Sequence, residues 1–300
     1  MKNSKKRSLK STSIGSIAFE ILSNDQDAYI SGLTSKGIFI RTSSKWHAFL
    51  SFDPFRGPLT ITLDEVESTF KLVSAGNRVK IDSHSIFIPS SNFMITAKDG
   101  GVWRPLPPSA IHLTDTCRQQ KLNDITEEVM SKKNGVGLSR FFPLLLGLPV
   151  ADPAPRWMVN IKWADILQLQ KYIRNKEAAD LARLLSNFLG MGPGLTPSAD
   201  DFIAGLLLSL NRWQNLLWAE DSLRDLNLQV VEAAYARTTT LSANLIECAT
   251  LGLADERLIN ALDWIVTGTA SEPEIISHLL GWGNSSGVDS LAGMAVALTA

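Results

Sequence analysis

Residues 190–205, GMGPGLTPSADDFIAG, hold most of the groups with which this chain could do chemistry. Gly190, Gly192 and Gly194 are interleaved with Pro193 and Pro197. Thr196, Ser198, Asp200 and Asp201 sit in the same stretch, and an apolar run from Phe202 to Leu210 follows at once. Glycines let a backbone come close to a ligand and take a positive φ. A helix starting just after them would aim its free N–H groups and positive dipole end into the loop. The stretch therefore reads as a loop that holds an anion at a helix N-terminus. A capping explanation stands beside that reading. Ser198 and Asp201 fit an S-x-x-D capping box, and Asp200 is favourable near the helix dipole. Capping accounts for Ser198 and Asp201 without a ligand, but not for the glycines, Thr196 and the second aspartate crowding one turn. The loop is neither a Walker A motif, since no Gly-Lys-Ser/Thr follows, nor a dinucleotide fingerprint, since Pro193 and Pro197 interrupt it. Backbone amides would carry most of any phosphate binding here. The aspartates would be left for Mg²⁺, for a proton, or for a donor on the substrate.

A second stretch, GWGNSSGVDSLAGM at 281–294, aligns with the first. Ser198-Ala-Asp-Asp201-Phe-Ile-Ala204-Gly205 matches Ser286-Gly-Val-Asp289-Ser-Leu-Ala292-Gly293, both S-x-x-D-x-x-A-G. Either capped helices with small Ala-Gly pairs simply recur, or two like loop–helix elements face each other across one site. In the second case Asn284, Ser285, Ser286, Gly287 and Asp289 join the first loop around one small anion. A third candidate is Arg237-Thr-Thr-Thr-Leu-Ser-Ala-Asn244, followed by Glu247. Thr239, Ser242 and Glu247 could line one side of a helix there, and Arg237 could bind a carboxylate or phosphate in bidentate fashion. The alternative is that Thr238 or Thr239 is an N-cap and Arg237 a surface residue.

The elements that must position these groups divide the chain in two. Up to about residue 112, short β-rich runs alternate with turn residues: 16–22, 28–33, 37–42, 46–52, 59–63, 84–89 and 92–97. Several alternate with period two, as in LTITL and FMITA, and Gly57-Pro58, Gly76-Asn77 and Asp99-Gly100-Gly101 supply turns. That pattern predicts an antiparallel sheet or small barrel. WRPLPP at 103–108 is a stiff connector, and the lobe boundary falls between it and Asp152-Pro-Ala-Pro155. From residue 113 the spacing turns helical: 113–133, 139–147, 163–174, 176–189, 201–218, 222–236, 239–251, 255–267, 273–280 and 287 onward. Gly190 is placed to stop the helix before it. The helix after the glycine loop is apolar nearly all round and should be central. The expected fold is α+β: a basic tail over 1–13, a β-rich lobe over 14–112, and a helical lobe over 113–300 that carries the site.

The 300 residues are 45% hydrophobic with a formal net charge of -1, which fits a two-lobed globular protein with no general attraction to nucleic acid or anionic membrane. No apolar run is long enough to span a bilayer. Cys117 and Cys248 read as free thiols of a reducing cytoplasm. His47, His84, His112 and His278 show no metal spacing, and no G-x-S-x-G elbow is present.

GMGPGLTPSADDFIAG, then RTTTLSANLIECATLG, then GNSSGVDSLAG resemble the AllH (YlbF) family, linked to the oxamate carbamoyltransferase of anaerobic allantoin degradation. GPLTITL at 57–63, residues 76–105 and FFPLLLG at 141–147 fit less sharply. Ala199 stands where that family usually has Gly. The resemblance implies phosphorolysis of oxalurate to oxamate and carbamoyl phosphate by a subunit working with FdrA-like and YlbE-like partners. Asp200, Asp201 and Asp289 would be the catalytic carboxylates. Gly192, Gly194, Thr196, Ser198, Arg237, Thr239, Asn284, Ser285, Ser286 and Gly287 would hold the anion. No cofactor is implied with certainty; Mg²⁺ on the aspartate pair belongs to a rival reading, a nucleotide-binding phosphotransferase or ligase. A non-catalytic scaffold subunit is the other rival.

Overall fold

A computed structural model describes the chain except residues 1–6, 25, 65–72, 98–99, 134, 149–160, 219 and 270–271. The expected tail residues 1–6 and the Pro-rich segment 152–155 lie outside the described residues. The chain divides into two units, Met1–Pro105 and Leu106–Ala300, so the boundary falls inside the WRPLPP connector.

The first unit is a β-barrel. Its strands are β1 (Arg7–Gly15), β2 (Gln26–Thr34), β3 (Gly37–Thr42), β4 (His47–Ser51), β5 (Thr60–Leu63), β6 (Arg78–Asp82), β7 (Ser85–Ile88), β8 (Phe93–Thr96) and β9 (Gly101–Trp103), with a short helix α1 (Ser16–Ile21) after the first strand. The order β5-β4-β3-β2-β6-β7-β8-β1 closes on itself because β1 pairs with both β8 and β5, and β9 extends the far end of β1. Closure leaves those eight strands without an open edge. Alternating residues fill the interior, among them Ile14, Ile30, Ile40, Leu50, Ile61, Ile86 and Ile95, all fully buried. Three expectations change. The 16–22 run is mostly helix. Residues 7–13 are strand rather than tail, because Leu9 and Ser11 turn into the barrel. Finally, β1 pairs parallel with β8 and β9, as β4 does with β5; period-two alternation is the same for either strand direction and cannot report it.

The second unit is helical: α2 (Asp115–Lys133), α3 (Phe142–Leu145), α4 (Trp163–Asn175), α5 (Ala178–Phe188), α6 (Ser198–Arg212), α7 (Gln214–Leu217), α8 (Glu220–Arg237), α9 (Thr240–Thr250), α10 (Glu256–Thr267), α11 (Glu272–Leu280) and α12 (Ser286–Leu298). At its centre lie α6, buried at every position but Asn211, and α12, buried from Gly287 to Ala297. Helices apolar on all sides must be surrounded, and here they pack on each other. Glycine makes this contact possible. A Cβ on Gly205 would overlap the carbonyl oxygen of Ser290, and a Cβ on Gly293 would overlap that of Phe202.

Ala is the better helix former by about 1 kcal/mol, yet Gly205→Ala should destabilise the protein by about 1–3 kcal/mol through overpacking. Gly281→Ala is the control, since its Cβ would make ordinary contact at 3.4 Å. Urea unfolding of both variants checks this, and a neutral Gly205→Ala contradicts the packing described.

Candidate functional site

The glycine loop leaves α5 through Leu189 and Gly190, the latter at φ 76° as the expected stop. It enters α6 through Pro197, not Ser198. Pro197 has no N–H and sits in the extended conformation that precedes a helix, so it takes the capping position, and no side chain caps the helix. Ser198 is the first helical residue, and the expected Ser198–Asp201 capping box does not form. The second helix repeats this, with Ser285 at the capping position making no cap bond and Ser286 the first helical residue.

The repeat between the two segments is longer than S-x-x-D-x-x-A-G. Phe-Leu-Gly-Met-Gly at 188–192 corresponds to Leu-Leu-Gly-Trp-Gly at 279–283, and the first loop is longer only between Gly192 and Ser198. The local structure repeats as well. Met191 N–H donates to Phe188 O (3.1 Å), as Trp282 N–H does to Leu279 O (3.1 Å). Inside the helices, Ala199 N–H returns to Met191 O (3.0 Å) and Gly287 N–H to Trp282 O (3.1 Å). Gly192 and Gly283, both at positive φ, press against the serines that open the helices, Ser198 and Ser286.

The contacts between the helices are reciprocal. Gly205 sits on Ser290 O and Gly293 on Phe202 O, the matching positions exchanged. The Asp201 carboxyl, from α6, lies beside the Ser286 hydroxyl that opens α12. The Asp289 carboxyl, from α12, lies beside the Ser198 hydroxyl that opens α6. This exchange of roles is pseudo-two-fold symmetry, and it brings both helix N-termini together with their carboxyls crossed. The structure thus favours two like elements facing each other over mere recurrence of capped helices.

The three aspartates differ in how their oxygens are used. Asp200 has both taken: Oδ1 accepts from Gly190 N–H (2.8 Å) and Oδ2 from the Thr238 hydroxyl. It ties the start of the loop to the junction of α8 and α9, where Gly190 also abuts the Arg237 carbonyl. Asp201, 2% exposed, accepts from Thr196 Oγ1 at 3.1 Å, and Thr196 Oγ1 lies 3.5 Å from Ser286 Oγ. Asp289, 0% exposed, accepts from Leu138 N–H at 2.6 Å through Oδ1, while its buried Oδ2 has no hydrogen-bond partner. Loss of water raises the pKa of all three; for Asp201 the negative charges of Asp289 and Asp200 add to it. Asp201 is raised well above the usual carboxylate range and Asp289 to about 6. The helix dipoles favour the anions here, but desolvation is the larger effect.

Beside Ser198 lies a small cleft lined by Leu138, Ile161, Met191, Gly192, Pro193, Ser198 and Ala199; the three aspartates are not in its wall. Gly194 is exposed at the loop tip, and Asn284 is exposed on the second loop. The side chain of Thr239 caps α9, accepting from Ser242 N–H (3.1 Å) and donating to Leu195 O (3.0 Å). The Arg237 guanidinium is exposed and donates to Ser186 O (3.0 Å), so the geometry does not bring it to the crossed carboxyls. The Gly137-Leu138 turn is an addition that sequence reasoning missed. Gly137, at φ 56°, lies so close that a Cβ would overlap Asp289 Oδ1, and this approach delivers the Leu138 amide. The glycines at 135 and 137 were the only signal for it. Among the described residues no group of three His, Cys, Asp or Glu is placed to hold a metal ion, and no helix is long and apolar enough to cross a membrane.

Residues 188–298 match the family described as AllH, oxamate carbamoyltransferase subunit AllH. The AllH match begins at the last residue of α5 and ends at the last of α12, so it encloses both halves of the repeat. No solved structure matches the chain.

Asp289 sets a pH dependence of stability. Its carboxyl titrates near 3.8 when unfolded and at about 6 when folded, so the folded state binds the proton more tightly. Stability is therefore lost as pH rises from about 4 through 6, by on the order of 3 kcal/mol. Asp289→Asn keeps an acceptor for Leu138 N–H and removes this loss. Its Tm relative to that of the unsubstituted protein should climb between pH 4.5 and 7, whereas a difference that stays flat or falls contradicts the burial described.

Proposed function

We propose that the paired starts of α6 and α12 are the substrate site of an oxamate carbamoyltransferase subunit of allantoin degradation, which phosphorolyses oxalurate to oxamate and carbamoyl phosphate. The observation that carries this reading is the crossing of Asp201 and Asp289 over the two helix N-termini, inside the segment that matches AllH. Substrate and products are small anions bearing amide groups. Such ligands need both a positive field and hydrogen-bond acceptors, and this pairing of helix ends with carboxyls offers both.

In the reaction a phosphate oxygen attacks the ureido carbonyl carbon of oxalurate. A C–O bond forms, the C–N bond to the oxamate nitrogen breaks, and the proton carried by phosphate ends on that nitrogen. The helix N-termini oppose the charge that gathers on the tetrahedral oxygen. The hydroxyls of Thr196, Ser198, Ser285 and Ser286 hydrogen-bond the phosphate, with Gly192 and Gly194 letting the loop close on it. Asp201, whose pKa burial raises well above the usual carboxylate range, takes up the proton from phosphate and passes it to the leaving nitrogen. Asp200 positions the loop and touches no substrate. Ala199 in place of the family's usual Gly is compatible, because Ala199 is in ordinary helical backbone with its N–H already bonded to Met191 O. FdrA-like and YlbE-like subunits in the cytoplasm would complete the assembly.

Thermal unfolding tests the reading. Carbamoyl phosphate at 100 times its Kd stabilises by about 2.7 kcal/mol, which raises Tm by several degrees for a unit of this size. The shift should be seen with carbamoyl phosphate, should also be given by oxalurate with phosphate, and should shrink in Asp201→Asn. A shift with Mg²⁺-nucleotide alone contradicts the transferase reading.

A further inference from the structure

The three aspartates are chemically alike, but among them only Asp289 has a fully buried oxygen without a hydrogen-bond partner. Asp200 spends both oxygens on Gly190 and Thr238. Asp201 holds Thr196. Asp289 gives Oδ1 to Leu138 N–H, and Oδ2 is buried without a partner. A buried acceptor left unpaired costs about 1–3 kcal/mol, and native structures rarely keep one without a use. The residues that contact this carboxyl also wall the cleft: Leu138 provides its amide donor, and Ser198 lies beside it. The Ser198 and Ser285 hydroxyls lie near enough to this carboxyl to lower its pKa, but neither reaches Oδ2 with full hydrogen-bond geometry.

We infer that Asp289 Oδ2 is the acceptor for the carbamoyl NH₂ of the ligand, and that Asp289 is thereby the residue that distinguishes a carbamoyl group from an acyl group of the same shape. The inference rests on the function proposed above and names the specificity element of that site. A carbamoyl NH₂ entering between Leu138 and Ser198 meets the open oxygen. A methyl group of nearly the same size leaves it unpaired, and a site built around a substrate N–H rejects the analogue that lacks it strongly. Gly137 is the positioning residue. It permits the turn that occupies Oδ1, so that only Oδ2 remains for the ligand.

Carbamoyl phosphate and acetyl phosphate make a matched pair, differing in NH₂ against CH₃. Calorimetric titration of the full chain with carbamoyl phosphate, acetyl phosphate and inorganic phosphate should give carbamoyl phosphate a Kd at least about tenfold lower than acetyl phosphate. In Asp289→Asn the amide keeps its oxygen on Leu138 N–H and turns a donor toward the ligand, so the ratio should fall to about one or reverse. The comparison in the unsubstituted protein does not depend on the variant folding. Equal affinity for the two acyl phosphates overturns the inference while leaving the anion site of the proposed function standing. A folded Asp289→Asn that keeps the tenfold preference also overturns it. Binding of none of the three probes removes the proposed function, and this inference with it.

Discussion

Two backbones meet at the centre of the helical unit, and the meeting is possible only because two side chains are absent. Gly205 rests on the carbonyl of Ser290, and Gly293 rests on that of Phe202. Each helix gives up a Cβ at one position and presents a carbonyl at the position three residues earlier. The exchange of roles fixes the relative placement of α6 and α12, and with it that of their first turns. Pro197 and Ser285 then set where each helix begins, leaving Ser198 and Ser286 as first residues, free of capping duty. Everything chemical in this unit follows from those two starts being held together.

Bringing the starts together buries three carboxyls that would each prefer water. The structure compensates unevenly. Asp200 is fully hydrogen-bonded and works as a tie between the loop and the α8–α9 junction. Asp201 is hydrogen-bonded on one side and faces a second acid. Asp289 is half-satisfied, through an amide that arrives from a turn 151 residues away in sequence. A fold selected for stability alone would gain by replacing such groups with apolar ones. Buried acids with raised pKa values beside a cleft are characteristic of sites that handle protons or polar ligands.

Much of this was legible in the residues. The shared S-x-x-D-x-x-A-G pattern pointed to two equivalent helix starts, and the all-apolar Phe202–Leu210 run marked α6 as central. Six of the expected strands lie where alternation placed them, because a half-buried strand writes its two faces into its sequence. What escaped was whatever depended on distant partners. The barrel closes through β1, whose RSLKSTSIG has too many serines and charges to look like a strand until β8 and β5 flank it. Ser16–Ile21 carries an apolar pattern that suits strand or helix, and a single short helix gave no periodicity to choose by. Ser198 looked like a cap by spacing, but Pro197 was sterically better suited to that place. The Gly137-Leu138 turn could not be linked to Asp289 by any local rule.

The proposed function requires that the crossed starts of α6 and α12 bind substrate. A crystal structure of the chain grown with carbamoyl phosphate tests it most directly. The ligand is expected in the cleft, with phosphate oxygens near Ser198 and Ser286 and its nitrogen within hydrogen-bond distance of Asp289 Oδ2. Carbamoyl phosphate bound elsewhere on the protein, with Oδ2 still unpaired or facing only water, would contradict it.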